Sequence, residues 1–197
     1  MSEPQLEFLT GLISAEDLPG PHLEIGTAYG VTLAHMILAR ATESNPLFVV
    51  VDNMRYFDDQ PAVVARTLTE HGIDPSRVEF RVGDSREKFR EAEKAGDVFD
   101  FILIDASHRI RNATSDLRWT RLLRPGGLVC LHDYHPTFPG VMRSVDRFLG
   151  KHQNYRRLNQ VQGMLALRKT AASTRTEITL ADRTWATLWS LPLKWRR

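Results

Sequence analysis

Asp105-Ala106-Ser107-His108 follows the most apolar run of the chain, Val98-Phe99-Asp100-Phe101-Ile102-Leu103-Ile104. A strand buried on both faces leaves room for a charge only at its exposed end. Asp105 and His108 lie three positions apart, so a turn or helical backbone carries both side chains on one side. An imidazole, with an ordinary pKa of about 6.5, can accept a proton near neutral pH. Two plainer roles stand beside that one: Asp105 as the cap of a helix beginning near Arg109, and His108 as a surface residue at the same helix start. A second pair, His132-Asp133, ends the next apolar run. Carboxylates from neighbouring strand ends, Asp105 and Asp133, could together hold a hard divalent cation such as Mg²⁺, which takes oxygen ligands. His132 itself reads more simply as a satisfied strand-end histidine than as a ligand.

A different chemistry gathers near the start. Glu24-Ile25-Gly26-Thr27-Ala28-Tyr29-Gly30 joins a short apolar strand to a helical stretch. A glycine there permits a tight turn and close approach of a ligand to the backbone. A dinucleotide turn would read G-x-G-x-x-G. This one has only Gly26 and Gly30, with Ala28 between them and the acid Glu24 ahead of the turn. A carboxylate in that place repels a pyrophosphate and suits a cation such as an amino acid's ammonium group. Asp52, with Asn53 beside it, ends the next strand, where an acid can accept both hydroxyls of a ribose. Gly83-Asp84-Ser85 ends the third, where a short acid can accept from an adenine amine. A nicotinamide-dependent oxidoreductase is the rival enzyme class, disfavoured by Ala28. A subunit that binds cofactor without turnover is the rival outside enzymes.

These residues need a scaffold that brings them to one edge. Apolar periodicity predicts helices over 5–16, 29–41, 61–71, 85–95, 109–123 and 141–149, the fifth closed by Arg124-Pro125-Gly126-Gly127. Strands are predicted over 22–25, 47–51, 78–82, 98–104 and 128–131, with an antiparallel pair at 155–158 and 164–167 turning at Gln162-Gly163. Such alternation implies an α/β, Rossmann-like, doubly wound and mostly parallel sheet of about seven strands. Its ligand crevice lies outside the carboxyl ends of the strands, where all the residues named above fall.

In this order and spacing, E-I-G-T-A-Y-G, V-V-D, G-D-S, F-D-F-I-L-I-D and L-R-P-G-G-L-V-C-L-H-D-Y resemble a class I S-adenosylmethionine-dependent methyltransferase over roughly residues 20–170. The resemblance implies that Glu24, Gly26, Thr27 and Gly30 face the cofactor's methionine part, Asp52 and Asn53 its ribose, and Gly83, Asp84 and Ser85 its adenine. Within that class the chain resembles the metal-dependent small-molecule O-methyltransferases, most closely the branch of macrolide-sugar enzymes. That resemblance implies His108 as general base, where catechol-type members have lysine, and Asp105 and Asp133 as metal ligands. Catechol-type members continue with asparagine after the second aspartate; here Tyr134 follows. The implied reaction is methyl transfer to a hydroxyl of a small molecule, a sugar or phenol-like acceptor. Tyr134 and Phe138 could line the acceptor pocket or pack their loop. Arg109 and Arg111 could be solvated charges or could meet an anionic substrate.

The chain has 197 residues and a formal charge of +2, too balanced to imply nucleic acid on charge alone. Cys130 is its single cysteine, so no intrachain disulfide forms, and with no signal-like N-terminus a cytoplasmic protein is expected. Residues 1–170 read as the methyltransferase domain and 171–197 as a tail, helical or loosely ordered. Trp185, Trp189 and Trp195 with Lys194, Arg196 and Arg197 suit packing on the domain or on a second copy of the chain. Contact with a membrane surface is the weaker reading, because Pro192 interrupts a long amphipathic helix. The N-terminal helix offers a second route to a homo-oligomer.

Overall fold

The computed structural model describes residues 1–40 and 46–194. Ala41, Trp195, Arg196 and Arg197 lie outside them, as do the side chains of Pro192 and Lys194. Seven strands form one sheet: β1 (His22–Ile25), β2 (Phe48–Asp52), β3 (Val78–Val82), β4 (Phe99–Ile104), β5 (Leu123–Leu131), β6 (Tyr155–Val161) and β7 (Met164–Lys169). Their order is β3-β2-β1-β4-β5-β7-β6. The first five run parallel, β7 is antiparallel to β5, and β6 antiparallel to β7. The helices are α1 (Glu3–Ala15), α2 (Val31–Ala39), α3 (Gln60–Glu70), α4 (Ser85–Ala95), α5 (Ile110–Asp116), α6 (Pro139–Lys151) and α7 (Leu180–Lys194). The sheet is thus Rossmann-like and mostly parallel, as the alternation of elements implies.

β4 shows why the sheet is covered on both sides. Phe101 and Leu103 join one core with Leu9, Ile13, Leu33, Met36, Val64 and Leu68. Ile102 and Ile104 point the opposite way, into a core with Phe89, Ala113, Trp119 and Val145. Alternate residues of one strand therefore feed two hydrophobic layers, each fully buried aliphatic side chain contributing roughly 1.5–3 kcal/mol. Local signals set the ends of elements. Asp84 Oδ1 accepts from Arg86 N at 2.9 Å and starts α4, and Gly96, at φ +77°, ends it. Gln162 and Gly163, at φ +46° and +89°, make the two-residue turn between β6 and β7.

Two expected boundaries move furthest. The helix predicted over 109–123 stops at Asp116 and continues as a 3₁₀ turn, Leu117–Leu122. The carbonyl of Thr120 accepts from Leu123 N within that turn and also from Tyr155 Oη at 3.0 Å and Lys169 Nζ at 2.9 Å, so partners from β6 and β7 hold the turn. Arg124-Pro125-Gly126-Gly127, expected to be a turn, lies within β5. Leu123 pairs with Phe99 and Leu128 with Phe101, so four residues bulge opposite one.

α7 packs along α5. Its Asp182 is buried and ion-paired with Arg147 Nε at 2.8 Å and with Lys151. Ile178 and Ala186 are buried as well. Trp185 lies under Arg147 and Trp189 under Arg143, 4.7 and 4.6 Å from guanidinium to ring centre. No described helix is long and apolar enough to cross a membrane.

Candidate active site

The parallel pairing of β1 with β4 sets Ile25 beside Ile104. Asp105 N donates to Ile25 O at 2.9 Å. Gly26 sits just beyond, at φ +86°, and a Cβ on it would fall 2.2 Å from Asp105 O. The backbone of the protein itself, not only a ligand, requires glycine there. On the other side of β4, Ile104 pairs with Leu131, and His132 N donates to Ile104 O at 3.1 Å. Three strand ends thus bring the Gly26 turn, Asp105 and His132-Asp133 to one edge.

The acids and imidazoles there are in contact. His132 Nδ1 lies 3.1 Å from Asp105 Oδ1 and 3.1 Å from Asp133 Oδ2, and His108 Nε2 lies 2.6 Å from Asp133 Oδ2. One ligand atom from each of Asp105, His132 and Asp133 falls within 4.8 Å of the others. Burial opposes a charge on His132, but the two carboxylates outweigh it and push its pKa up to about 9. Burial likewise works against the Asp133 carboxylate, and the two histidines more than offset it, holding its pKa below the usual value. Asp133 adopts φ +60°, an uncommon conformation for a residue with a side chain. The Phe138 ring lies 4.4 Å from that of His108. Tyr134 is engaged elsewhere: its hydroxyl donates to Asp146 at 2.6 Å and accepts from Arg157 at 2.8 Å.

The residues expected around a cofactor divide into two groups. Glu24 is buried, burial pushes its pKa up to about 8, and its Oε2 has no hydrogen-bond partner. Such a carboxyl is suited to an incoming cation. Thr27 N donates to Asp52 Oδ2 at 2.9 Å, and Met54 N to Asp52 Oδ1 at 2.7 Å, so Asp52 joins the first turn to the second loop. Gly30, at φ +79°, opens α2. Asn53 is exposed and its Oδ1 accepts from Arg55 N at 2.9 Å. Farther along, Gly83 (φ +149°) packs against Lys88. Asp84 caps α4 and pairs with Arg86 at 2.9 Å. Ser85 Oγ donates to Asp116 at 2.7 Å and accepts from Trp119 Nε1 at 2.9 Å, so it faces an internal network.

Three residues at this edge were not evident as site residues. His132 stands between two carboxylates, which pair with it at the strand end. The signal available in sequence was an imidazole adjoining Asp133 at the end of the strand that follows Asp105. Gln5 is buried, with Oε1 3.3 Å from His132 Nε2 and Nε2 donating to Gln162 O at 2.8 Å. Gln60 Nε2 donates to Ala28 O at 3.1 Å. Nothing local distinguishes these glutamines from surface ones.

Comparison with known proteins shows the family and the fold. A family model described as a methyltransferase domain matches residues 23–134, more than half of the chain. The protein belongs to that family: it is a methyltransferase. No curated protein sequence matches it. Among solved structures, the O-methyltransferase from Bacillus cereus, in complex with SAH, is similar with a TM-score of 0.67 at 20% identity, covering 86% of this chain and 82% of that one. The O-methyltransferase TomG from Streptomyces achromogenes, involved in tomaymycin synthesis and bound to SAM, gives 0.64 at 22%, covering 87% and 82%. CalS11, a TDP-rhamnose 3'-O-methyltransferase of calicheamicin biosynthesis, gives 0.65 at 21%, covering 83% and 76%.

Proposed function

We propose that this methyltransferase moves the methyl group of S-adenosylmethionine to a hydroxyl of a small molecule, with a sugar or phenol-like acceptor. The observation that carries the reading is the contact between the Gly26 turn and the strand end that bears Asp105, His132 and Asp133, with His108 on Asp133. S-adenosylmethionine supplies an electrophilic methyl on a sulfonium. Glu24 receives the ammonium group, Asp52 the ribose, and the loop of Asp84 the adenine. The chain's main task is then to align acceptor oxygen, methyl and sulfur. His108 accepts the acceptor's proton at Nδ1, because its Nε2 faces Asp133; the carboxylate holds the ring and balances the imidazolium that results.

Asp105 and Asp133 suit a divalent cation, and His132 adds a third donor. Their fit rests on the positive charge that two converging carboxylates call for, which a protonated His132 otherwise supplies. A cation held there would lower the pKa of the acceptor hydroxyl. Two oxygens and one imidazole favour Mn²⁺ beside Mg²⁺.

The test is calorimetric titration with S-adenosylmethionine, followed by assay of S-adenosylhomocysteine release with panels of hydroxyl, amine and thiol acceptors. Binding and turnover with hydroxyl acceptors are expected. Absence of binding at millimolar cofactor, or turnover with amines or thiols alone, overturns the reading.

A further inference from the structure

Away from the strand-end edge, the groove between α4, α5 and α7 holds a cavity of about 650 Å³ into which Arg86, Arg90, Arg111, Arg118 and Arg183 all face. Two carboxylates share it, Asp84 and Glu87, and Asp84 is already paired with Arg86 at 2.9 Å. No carboxylate lies within ion-pair distance of Arg90, Arg111, Arg118 or Arg183 among the described residues. A second cavity, of about 360 Å³, adjoins the first and shares Arg90, Arg118 and Arg183. The whole chain carries only +2, so this basic wall is a local concentration and not a general surface property.

One of the arginines is firmly held and another lies on an anchored helix. Arg118 is partly buried: its Nε donates to Ser115 O at 3.1 Å, a terminal nitrogen donates to Ser115 Oγ at 2.8 Å, and its guanidinium lies 5.2 Å from the centre of the Phe89 ring. Arg183 follows Asp182, whose ion pairs with Arg147 and Lys151 fix α7 against the domain. Burial and the nearby charge of Arg183 work against the charge on Arg118, the Asp116 carboxylate favours it, and Arg90 opposes it again. Five arginines thus converge on a groove that holds two carboxylates, Asp84 and Glu87, and positive charge is in excess there.

We propose that this groove is a binding site for a small molecule carrying two or more phosphate groups. Guanidinium forks match phosphate oxygens in pairs, and several converging arginines suit more than one phosphate. The cavity volume falls in the range of small-molecule sites. Leu180 and Leu188, both well exposed, offer an apolar wall for the rest of the ligand. The groove adjoins the loop of Asp84, which the proposed function gives to the adenine, but its outer wall is α7, which lies beyond the residues matched by the family model.

Inorganic pyrophosphate is the probe, titrated by calorimetry into the full chain. Saturable binding is expected, weakening steeply as sodium chloride rises. The double substitution Arg90→Gln with Arg183→Gln should raise the dissociation constant at least tenfold while the unliganded melting temperature stays close to wild type. If that protein folds poorly, Arg111→Gln, at an exposed position, should still weaken binding severalfold. No binding at millimolar pyrophosphate overturns the proposal, as does equal affinity in wild type and variants. Tight binding of a 20-nucleotide RNA with indifference to pyrophosphate also overturns it, in favour of a nucleic-acid surface.

Discussion

Asp133 Oδ2 lies 2.6 Å from His108 Nε2, and the residue that supplies this oxygen holds a left-handed backbone, φ +60°. The bend after β5 turns the carboxylate back toward the end of β4. A histidine from one loop and an aspartate from the next become a pair.

That pairing predicts a kinetic signature. His108→Ala should lower kcat by about 10²–10⁴-fold and leave the affinity for S-adenosylmethionine within about twofold, because no cofactor contact is assigned to the imidazole. Single-turnover rates and calorimetry on the same preparation check both halves. Unchanged turnover removes His108 from the base role.

The cation reading makes a separate prediction. A chelator should reduce kcat at least tenfold, and Mg²⁺ or Mn²⁺ should restore it. His132→Gln should raise the metal concentration needed for half-restoration by about tenfold or more, since it deletes one of three donors. Indifference of turnover to chelator and metal alike rules out the assisted mechanism.

Two glycines of similar backbone separate local strain from collision. Gly26 and Gly72 have φ +86° and +74°, but a Cβ on Gly72 meets nothing within 4 Å, whereas one on Gly26 meets Asp105 O at 2.2 Å. Gly72→Ala should cost about 1–2 kcal/mol from the backbone alone. Gly26→Ala should cost about 3 kcal/mol or more and abolish cofactor binding. Urea denaturation of both variants makes the comparison.

Much of the architecture could be read from local patterns. β3 (Val78–Val82) and α4 (Ser85–Ala95) fall where the pattern of the chain put them. The two-residue turn at Gln162-Gly163 was legible for the same reason. The early end of α5 was not, because it depends on Tyr155 and Lys169 donating to Thr120 O, contacts 35 and 49 residues away in sequence. The full surroundings of His132 were not legible either. Its neighbour Asp133 is visible in the chain, but Asp105 reaches it only through the register of β4 on β5.

Asp116 gives a pH prediction away from the site. It is buried, and burial pushes its pKa up to about 6 from an ordinary 3.8. The folded state therefore binds more protons than the unfolded state between those values, so this group's contribution to stability is greatest below about pH 4 and is lost as pH rises through about 6. Two units correspond to about 3 kcal/mol. Asp116→Asn keeps an acceptor for Ser85 Oγ and removes the titration. It should match wild type near pH 4 and exceed it by up to about 3 kcal/mol at pH 7. A constant difference across that range would count against a raised pKa.

The bare contact of Gly26 with Asp105 O also bears on how the site comes into being. No side chain stands between the cofactor turn and the end of β4 to act as a spacer. A chain that has paired β1 with β2 but not yet with β4 has neither half of the site in its working position. Binding competence should therefore appear in one step during refolding, when the central strand closes the gap between two segments some 80 residues apart. Any later drift of one strand end along the other shifts the Gly26 turn relative to Asp105.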